Sequence, residues 1–584
     1  MTDPTLYYAV HYSEYFVAAD RVLIWLDDAE RMIDGDSSTV KILELCRGAR
    51  TLAAHVSEVA RNTSAAEASI EQALNALISA GLLRPLATSL TTNADCSSAP
   101  PPIQTVGILT ADRPDTLSRS LASAIPHVLR HRDDIRFIVV DGSKSPTNQA
   151  RTRDVVKQFR GKLASTYIGP VERRQVVTRI ARAGAHSAAL TTGLGTGMTG
   201  ANRNLLLVLT AGHPLLMVDD DIQWTAWSLP SSSDRLAIVG HEDPRQWTFF
   251  QTRAEAISVT AEGAVDILTA HQSLLGRDTW SLMTDGPDLS DACSYVLGAL
   301  AKSPAPKVCV TLVGVAGDSG IYCPYQVLFA TGKTRDELRR TASTFRCAIS
   351  SREVRRIAPR SVVTHEPLCT AGCIGLANTD LLPPFMPLGR NEDGVFGRML
   401  AFTHPHALFG HVPWGIIHDS DRPSARPEDI PSAMQTRLAD IVLEVVRLAC
   451  AAPIPQSERA RLRHVGRVFM ELAELSPAAF HDFIRHTMIQ ERARQLLQLE
   501  ADLAKDDTPE HWRAAAGKFR EHFLARIGTP EFLCPIEFRH LQSTDSALRA
   551  TRVFFWEFGK VLSMWSYVWE YARSVGRGRL LESA

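Results

Sequence analysis

The spacing of apolar residues divides this chain of 584 residues into three regions. Over residues 1–88, two short apolar runs precede segments in which apolar residues recur every three or four positions; over 103–430, short apolar runs alternate repeatedly with such helical segments. Over 431–584 the helical spacing continues almost without interruption. Residues 89–102, rich in Ser, Thr and Pro, are predicted to form a linker. The pattern therefore predicts an N-terminal domain, a linker, a middle domain and an all-α C-terminal region.

The N-terminal region is predicted to fold as a hairpin followed by three helices. The segment RVLIWLDDAERMIDGD gives two short strands, and ILELCRGARTLAAHV gives two helices that break at Gly48. SIEQALNALISAGLL gives a third helix, which ends near Gly81. This order is typical of a winged-helix-like module. The third helix carries no Lys or Arg to meet phosphates, so we do not expect DNA binding.

The middle region shows the alternation of strands and helices that defines an α/β, Rossmann-like fold. One predicted strand stops at Thr110, and Pro114 suits the first turn of the helix that follows. Two later strands, IRFIVV and PLLMV, end on Asp141 and on Asp219. Such alternation predicts a parallel sheet covered on both faces. Ligands bind to these sheets at the carboxyl ends of the strands, where these polar residues are expected to meet.

The end of the PLLMV strand carries three consecutive acids, Asp219, Asp220 and Asp221. Carboxylates held this close repel one another unless positive charge lies between them. One Asp after a strand is often the N-cap of a helix, but capping does not explain three. Since hard divalent cations prefer carboxylate oxygen, the run favours a site for a cation and its anionic ligand.

A second acid pair, Glu392 and Asp393, lies in MPLGRNEDGVFGRML, just before a helix with an apolar face. Such a pair can supply a general base to a reaction. The alternative is that both acids only stabilise the positive end of the helix dipole.

Composition and charge narrow the expected binding partners and the expected cellular compartment. The net charge of −1 gives no general attraction to nucleic acid or to an anionic membrane. The ten cysteines form no C-x-x-C pair, as expected for reduced thiols in the cytoplasm. The N-terminus MTDPTLYYAV does not look like a signal peptide, and no run of about 18 apolar residues predicts a membrane span.

Four motifs of the middle region, LTADRP, VVDGS, GANRN and VDDD, occur in the order found in GT-A glycosyltransferases, and the region resembles the family-2 type over about residues 103–420. The resemblance implies transfer of a sugar from a nucleotide-diphosphate sugar, for which we expect a UDP-sugar. It also implies a set of donor-binding residues: Thr110, Arg113, Asp141, Asn202, Arg203, Asp219 and Asp220.

The same resemblance implies a divalent metal, Mn²⁺ or Mg²⁺, and an inverting reaction. Asp221 is expected to hold the metal with Asp219, which also contacts the ribose. His418 is expected as a further ligand, with His411 as the alternative. Asp393 corresponds to the general base, and Glu392 is expected to hold the sugar or the base.

The N-terminal motifs ILELCRGARTLAAHV and LNALISAGLL resemble PqqD-like domains, the recognition elements that bind the leader of a ribosomally made precursor peptide. Physically, an edge of the hairpin takes up an extended peptide as an added strand, and a groove beside the third helix supplies apolar pockets. The alternative is a small domain that only packs on the rest of the chain.

Together these features predict a glycosyltransferase that modifies a side chain of a precursor peptide. Two alternatives stay open: transfer to a polysaccharide or lipid-linked acceptor, and a non-catalytic scaffold that keeps a nucleotide-sugar fold. The C-terminal region adds eight aromatic residues over 554–571, which predict either a thick core, a peptide groove or a face for a homodimer.

Overall fold

The computed structural model describes most of the chain. The described residues are 5–582, apart from those at 19, 27–30, 87–98, 133, 230–232, 241–242, 259–264, 301–304, 322–323, 371, 426–434, 451–454, 506, 528 and 542.

The N-terminal region consists of two small sheets and three helices. In chain order its elements are β1 Leu6–Ala9, β2 Ser13–Ala18, β3 Arg21–Leu26, β4 Arg31–Gly35, α1 Ser37–Leu45, β5 Arg50–Thr51, α2 Leu52–Asn62, α3 Glu67–Ser79 and β6 Leu83–Pro85. Strands β2, β3 and β4 form one antiparallel sheet, and β5, β1 and β6 form the other. The predicted hairpin is therefore β3 and β4, and the three predicted helices are present.

Local chemistry sets the ends of these helices. The Asp36 side chain accepts a hydrogen bond from the Thr39 amide at the start of α1, and Thr51 caps α2 in the same way. Gly81 follows α3 with φ +73, a left-handed conformation that ends a helix. Strand β2 was not predicted, because almost all of its side chains are exposed and show no alternation of buried positions.

The loop between α1 and α2 packs against the middle region. The Ala49 amide donates to the Leu289 carbonyl (3.2 Å), and Arg50 Nη2 donates to the Ser290 carbonyl (3.2 Å). Gly48 is buried at this contact, where an added Cβ would lie 2.0 Å from the Ser290 carbonyl oxygen. The N-terminal region is thus joined to the middle region at a backbone contact that only glycine fits.

Replacing Gly48 with Ala is expected to open this contact, since the two backbones must move apart. We expect the Ala49 amide to exchange with deuterium at least about tenfold faster than in the parent protein, as followed by hydrogen-exchange mass spectrometry. Gly161→Ala is the matched control, because a Cβ there meets no atom within 4 Å. Equal protection of Ala49 in both variants would contradict the assigned role of Gly48.

The middle region is built on one large sheet with helices on both sides. Its strands are β7 Thr105–Thr110, β8 Arg136–Asp141, β9 Ala164–Ile168, β10 Leu215–Asp219, β11 Ile222–Trp227, β12 Ser233–Val239, β13 Gln246–Phe250, β14 Val308–Asp318, β15 Glu353–Ile357, β16 Arg360–Thr364, β17 Cys373–Leu376 and β18 Leu408–His418. Its helices are α4 Pro114–His131, α5 Pro146–Phe159, α6 Pro170–Arg182, α7 Ser187–Leu190, α8 Thr199–Leu209, α9 Arg253–Ile257, α10 Ile267–Gln272, α11 Thr279–Met283, α12 Ser294–Leu300, α13 Gly332–Arg340, α14 Ala342–Ser350 and α15 Glu392–Thr403. A π-helical turn spans Thr191–Gly195, and a 3-10 helix spans Pro324–Phe329.

The predicted parallel sheet is confirmed for β10, β7, β8 and β9, which are neighbours in that order and all parallel. The rest of the sheet is mixed: β17 runs antiparallel to both β10 and β14, whereas β14 and β18, and β12 and β16, are parallel pairs. Only two residues separate β15 from β16, and eight separate β16 from β17. These consecutive strands are not neighbours in the sheet, so the order of the strands along the chain does not give their pairing.

Burial along β8 shows that the sheet is covered on both faces, as predicted. Phe137 and Val139 belong to one hydrophobic cluster, whereas Ile138 and Val140 belong to another, and all four are fully buried. Successive side chains of a strand point to opposite faces, so both faces of this strand are in the core.

The C-terminal region is helical throughout the residues described there. Its elements are α16 Leu438–Cys450, α17 Glu458–Glu474, α18 Pro477–Leu503, α19 Glu510–Arg526, α20 Pro530–Leu533, a 3-10 turn Ile536–Phe538 and α21 Thr544–Leu581. Most of the aromatic run on α21 is buried in a cluster shared with the middle region. Trp565 Nε1 donates to the Leu382 carbonyl (2.7 Å), and Trp569 Nε1 donates to Asn378 (2.9 Å). These contacts favour the core interpretation of the run.

Within the described residues, every helix is too short or too polar to cross a membrane.

Candidate functional site

A cavity of about 1090 Å³ lies at the carboxyl ends of the parallel strands. Nine of the residues singled out from the sequence line it: Thr110, Arg113, Asn202, Arg203, Asp219, Asp221, Glu392, Asp393 and His418. The structure therefore brings the two acid motifs, predicted separately, into one space.

Asp141 and Asp220 do not line the cavity; both are fully buried beneath it. Asp141 accepts hydrogen bonds from the Tyr167 hydroxyl (2.8 Å) and the Ser143 amide (2.8 Å). Asp220 accepts from the Thr110 hydroxyl (2.7 Å) and forms an ion pair with Arg113. Burial raises the pKa of Asp220 to about 7 despite the attraction of Arg113. Both carboxylates hold the cavity wall in place.

Arg203 contacts both acid motifs, and its contact with Glu392 spans 189 positions of sequence. Its Nη2 donates to Asp219 (3.0 Å), and its Nε donates to Glu392 (3.1 Å); Arg203 and Glu392 are buried, whereas Asp219 is partly exposed. Burial raises the pKa of both Asp219 and Glu392, and the guanidinium of Arg203 opposes that rise. The charge of Arg203 is therefore neutralised by carboxylates of the protein. Its contacts give no support to the predicted contact between Arg203 and the nucleotide.

Asp221 is held between Arg113 and His418. Its Oδ2 accepts from Arg113 (2.9 Å), and its Oδ1 lies 3.2 Å from His418 Nε2. His418 Nδ1 donates to the Asp318 carbonyl (2.6 Å). Burial opposes the imidazolium, but Asp221 outweighs burial and raises the pKa of His418 to about 9. Burial also acts against the Asp221 carboxylate, yet His418 and Arg113 hold its pKa well below the usual range.

The repulsion among the three acids is thus already offset by three cations of the chain, Arg113, Arg203 and His418. The described residues contain no group of three or more His, Cys, Asp or Glu side chains arranged to hold a metal. Two of the predicted ligands nevertheless suit one. Asp221 Oδ1 is paired with His418 Nε2 at 3.2 Å, and the Asp318 carbonyl bonded to His418 Nδ1 leaves Nε2 as the ligand atom; a metal bound between the two side chains would replace the Nε2 proton.

The other two predicted ligands fit less well. Asp219 is engaged by Arg203, and His411 does not line the cavity. His411 lies seven residues before His418 on β18, roughly 20 Å away at the rise of a strand. Burial, together with Arg245, lowers the pKa of His411 to about 3, so it is a neutral core residue.

Two residues with a strained backbone conformation lie beside the site. Among the described residues other than glycine, positive φ occurs at Asp112 (+56) and at Asn391 (+68). Asp112 directly precedes Arg113, and its carboxylate accepts from the Lys144 and Ser145 amides at the end of the neighbouring strand. Asn391 directly precedes Glu392, the first residue of α15. Strain of this kind is common where side chains must be aimed at a ligand.

Asp393 lies in the first turn of α15, half-buried, and its Oδ1 accepts a hydrogen bond from the Gly394 amide (2.9 Å). It therefore faces the cavity beside Glu392, at the end of a helix whose dipole favours a carboxylate.

Several cavity residues were not predicted from the sequence. Arg390 and Arg422 are exposed at the rim, and neither guanidinium has an ion-pair partner among the described residues. Arg356 and Trp247 line a deeper part. One wall comes from the C-terminal helical region, through Arg437, Asp440, Arg492, Gln495 and Phe519. Arg390 stands two positions before Glu392, which is the one sequence signal that could have pointed to it.

No protein-family model matches the chain, and no curated protein matches it in sequence. Among solved structures, it is similar to the mannosyltransferase PcManGT from Pyrobaculum calidifontis in complex with GDP-Man and Mn²⁺, with 13% identity and a TM-score of 0.29 over 82% of this chain and 93% of that one. It is also similar to TarS 1-349 from S. aureus, with 12% identity and a TM-score of 0.27 over 72% of this chain and 91% of that one. Likenesses this distant carry no inference about the activity of this chain.

Proposed function

We propose that the protein is a metal-assisted glycosyltransferase with a GT-A-type middle domain over 103–430, which moves a sugar from a nucleotide-diphosphate sugar to a peptide side chain. One observation carries the proposal. A single cavity joins the Asp221–His418 pair, 3.2 Å apart at the end of a parallel strand, to Asp393 at the start of α15.

The donor side of the cavity suits a cation and a diphosphate. Asp221 Oδ1 and His418 Nε2 would hold Mn²⁺ or Mg²⁺, and the metal would neutralise charge that develops on the departing diphosphate. Thr110 and Asn202 line the same cavity, and their side chains are held by Asp220, by Arg173 and by the Gly197 carbonyl, so they shape the wall beside the nucleotide, for which we propose a UDP-sugar.

The rim arginines suit the phosphates of the same donor. Arg390 and Arg422 carry positive charge that no described carboxylate neutralises, and burial together with Arg390 lowers the pKa of Arg422. Two cations held near each other gain most from a ligand with two adjacent negative groups.

Replacing either Arg390 or Arg422 with Ala is expected to weaken binding of UDP in the presence of Mn²⁺ by about 5- to 20-fold, since each variant loses a charged hydrogen bond to phosphate. Calorimetric titration measures this, and binding of uridine, which lacks the phosphates, is the control. An equal loss of uridine binding would show that the substitutions disturb the whole site instead.

The acceptor side provides the base. In an inverting transfer, the acceptor heteroatom bonds to the anomeric carbon of the sugar while the bond from that carbon to the diphosphate oxygen breaks. The proton of the acceptor passes to the Asp393 carboxylate, and the electron pair of the broken bond leaves with the diphosphate. Glu392 holds Arg203, and through it Asp219, in the geometry that this step requires.

The N-terminal region over 1–88 is proposed to bind the leader of the peptide. Strand β2 supports this, because it lies at an edge of its sheet and exposes three apolar side chains: Tyr15 at 55%, Phe16 at 65% and Val17 at 55%. An exposed apolar edge strand is a template for an added strand. A lipid-linked or polysaccharide acceptor is the alternative, as is a scaffold that binds donors without turnover.

Turnover of donors tests the proposal. The full chain is incubated with Mn²⁺ and, separately, with UDP-glucose, UDP-galactose, UDP-N-acetylglucosamine and GDP-mannose, and release of free nucleotide diphosphate is followed. We expect slow hydrolysis of at least one UDP-sugar and loss of that hydrolysis after chelation of the metal. Binding of a donor with no turnover of any would favour the scaffold.

A further inference from the structure

A buried cluster of charge lies deep in the same cavity, on the mixed half of the sheet. Arg245 and Trp247 stand at the start of β13, and Arg356 lies opposite Trp247 on β15. Arg356 is 5% exposed and lines the cavity, as do Trp247 and Asp243.

The cluster holds two guanidiniums and one carboxylate. Arg245 donates to the Asp243 carboxylate from Nε (2.7 Å) and from Nη2 (3.3 Å). Trp247 Nε1 donates to the same carboxylate at 3.4 Å. Arg356 has no carboxylate within 4 Å among the described residues.

Arg356 is therefore poorly satisfied. Its Nη2 donates to the Thr370 hydroxyl (2.9 Å), which already accepts from Arg245 Nη1 (3.0 Å). Its Nε is buried and has no acceptor. The guanidinium lies 4.7 Å from the centre of the Trp247 ring, and this cation–π contact offsets only part of the cost of burial.

Other arginines of the cavity are treated differently by the fold. Arg113 and Arg203 each lie within 3.0 Å of a carboxylate oxygen, and Arg390 and Arg422, which have no ion-pair partner among the described residues, are exposed to solvent at the rim. Burial lowers the pKa of Arg356 to about 9, so it is still charged at neutral pH. A buried, charged and under-paired guanidinium that opens into a cavity is a site that lacks its anion.

We propose that Arg356 binds a carboxylate of the acceptor, so that the acceptor peptide carries Asp or Glu close to the modified residue. This inference rests on the proposed function. The guanidinium can bind a carboxylate through two parallel hydrogen bonds, and Trp247 and Phe249 would pack against the neighbouring part of the peptide. The Asp393 carboxylate is among the charges that act on Arg356, and Arg356 lies on β15, which pairs with β13 and β14 and not with the acid-ended strand β10; we therefore assign the carboxylate to the acceptor.

Binding of two small probes, measured without a donor, tests the proposal. The acidic peptide acetyl-Glu-Ser-Glu-amide is compared with acetyl-Gln-Ser-Gln-amide by saturation-transfer NMR and calorimetry. We expect the acidic peptide to bind the parent protein at least about tenfold more tightly, and the preference to fall below about twofold in Arg356→Met. Arg398→Met, which changes an arginine outside the cavity, is expected to keep the preference.

Thermal unfolding separates this role from a structural one. If the Arg356 guanidinium is left unsatisfied in the free protein, Arg356→Met removes an unpaired buried charge and raises Tm by about 2 °C. A fall in Tm would show that the fold itself satisfies the guanidinium, which would overturn the proposal.

In a last comparison, binding of glucuronate is measured against binding of glucose. A preference for glucuronate that depends on Arg356, with none for the acidic peptide, would assign the carboxylate to the transferred sugar and overturn the acceptor site. No preference in either pair would overturn the subsite altogether. None of these measurements requires catalytic turnover. A negative result for the carboxylate subsite is therefore distinguishable from a failure of the glycosyltransferase proposal.

Discussion

Replacing Asp393 with Asn is expected to lower the rate of nucleotide diphosphate release by about 10²- to 10⁴-fold, the usual contribution of a general base. The amide cannot take the proton of the acceptor. It can still accept the hydrogen bond that Asp393 receives from the Gly394 amide, so α15 is expected to start at the same residue. Steady-state kinetics with the preferred donor measures the loss.

Two comparisons make the result specific to the base. Asp380→Asn changes an exposed acid outside the cavity and should leave the rate within about twofold. Binding of UDP with Mn²⁺ to Asp393→Asn should also stay close to that of the parent protein, because the donor side is built by other residues. A parent-like rate in Asp393→Asn would remove Asp393 from the mechanism.

Replacing Arg203 with Met is expected to give the largest loss of stability, about 3–5 kcal/mol in the free energy of unfolding. The substitution removes the cation that lies between Asp219, whose side chain is 30% exposed, and Glu392, which is buried. Burial raises the pKa of both acids, so they can escape part of the cost by taking up protons. Chemical denaturation at pH 7 measures the difference.

A triple variant tests the reason for that loss. Arg203→Met combined with Asp219→Asn and Glu392→Gln removes the carboxylates that were left unpaired, and we expect it to recover at least half of the lost stability. No recovery would mean that packing of the Arg203 side chain, rather than its charge, stabilises this region.

The strand ends of the donor side could be predicted because each depends on local sequence. A buried apolar run followed by Asp219–Asp221 indicates a strand that ends at a ligand site, and the structure places its first and third acids on the cavity. What the run does not show is which carboxylate faces inward. Asp220 lies in the turn that follows β10 and points beneath the cavity, where Thr110 and Arg113 of another strand end bind it.

Pairing between distant segments accounts for most of what the sequence did not predict. The contact of Arg203 with Glu392 joins residues 189 positions apart, and no local sequence pattern predicts it. Arg356 lies on a short strand whose partner β13 is about a hundred residues earlier, so its lack of a carboxylate is visible only in the folded protein. The mixed half of the sheet escaped prediction for the same reason, since its short strands are placed by long-range pairing.

We propose that the acid-ended strand β10 and His418 form a site for a metal and a nucleotide diphosphate. Calorimetric titration of UDP into the protein, with and without Mn²⁺, is the most direct measurement, carried out on the parent chain and on Asp221→Asn. We expect binding that requires Mn²⁺ in the parent and is weakened at least about 100-fold in the variant, which keeps its fold by circular dichroism. Equal binding of UDP to both proteins, or binding that ignores the metal, would contradict the claim.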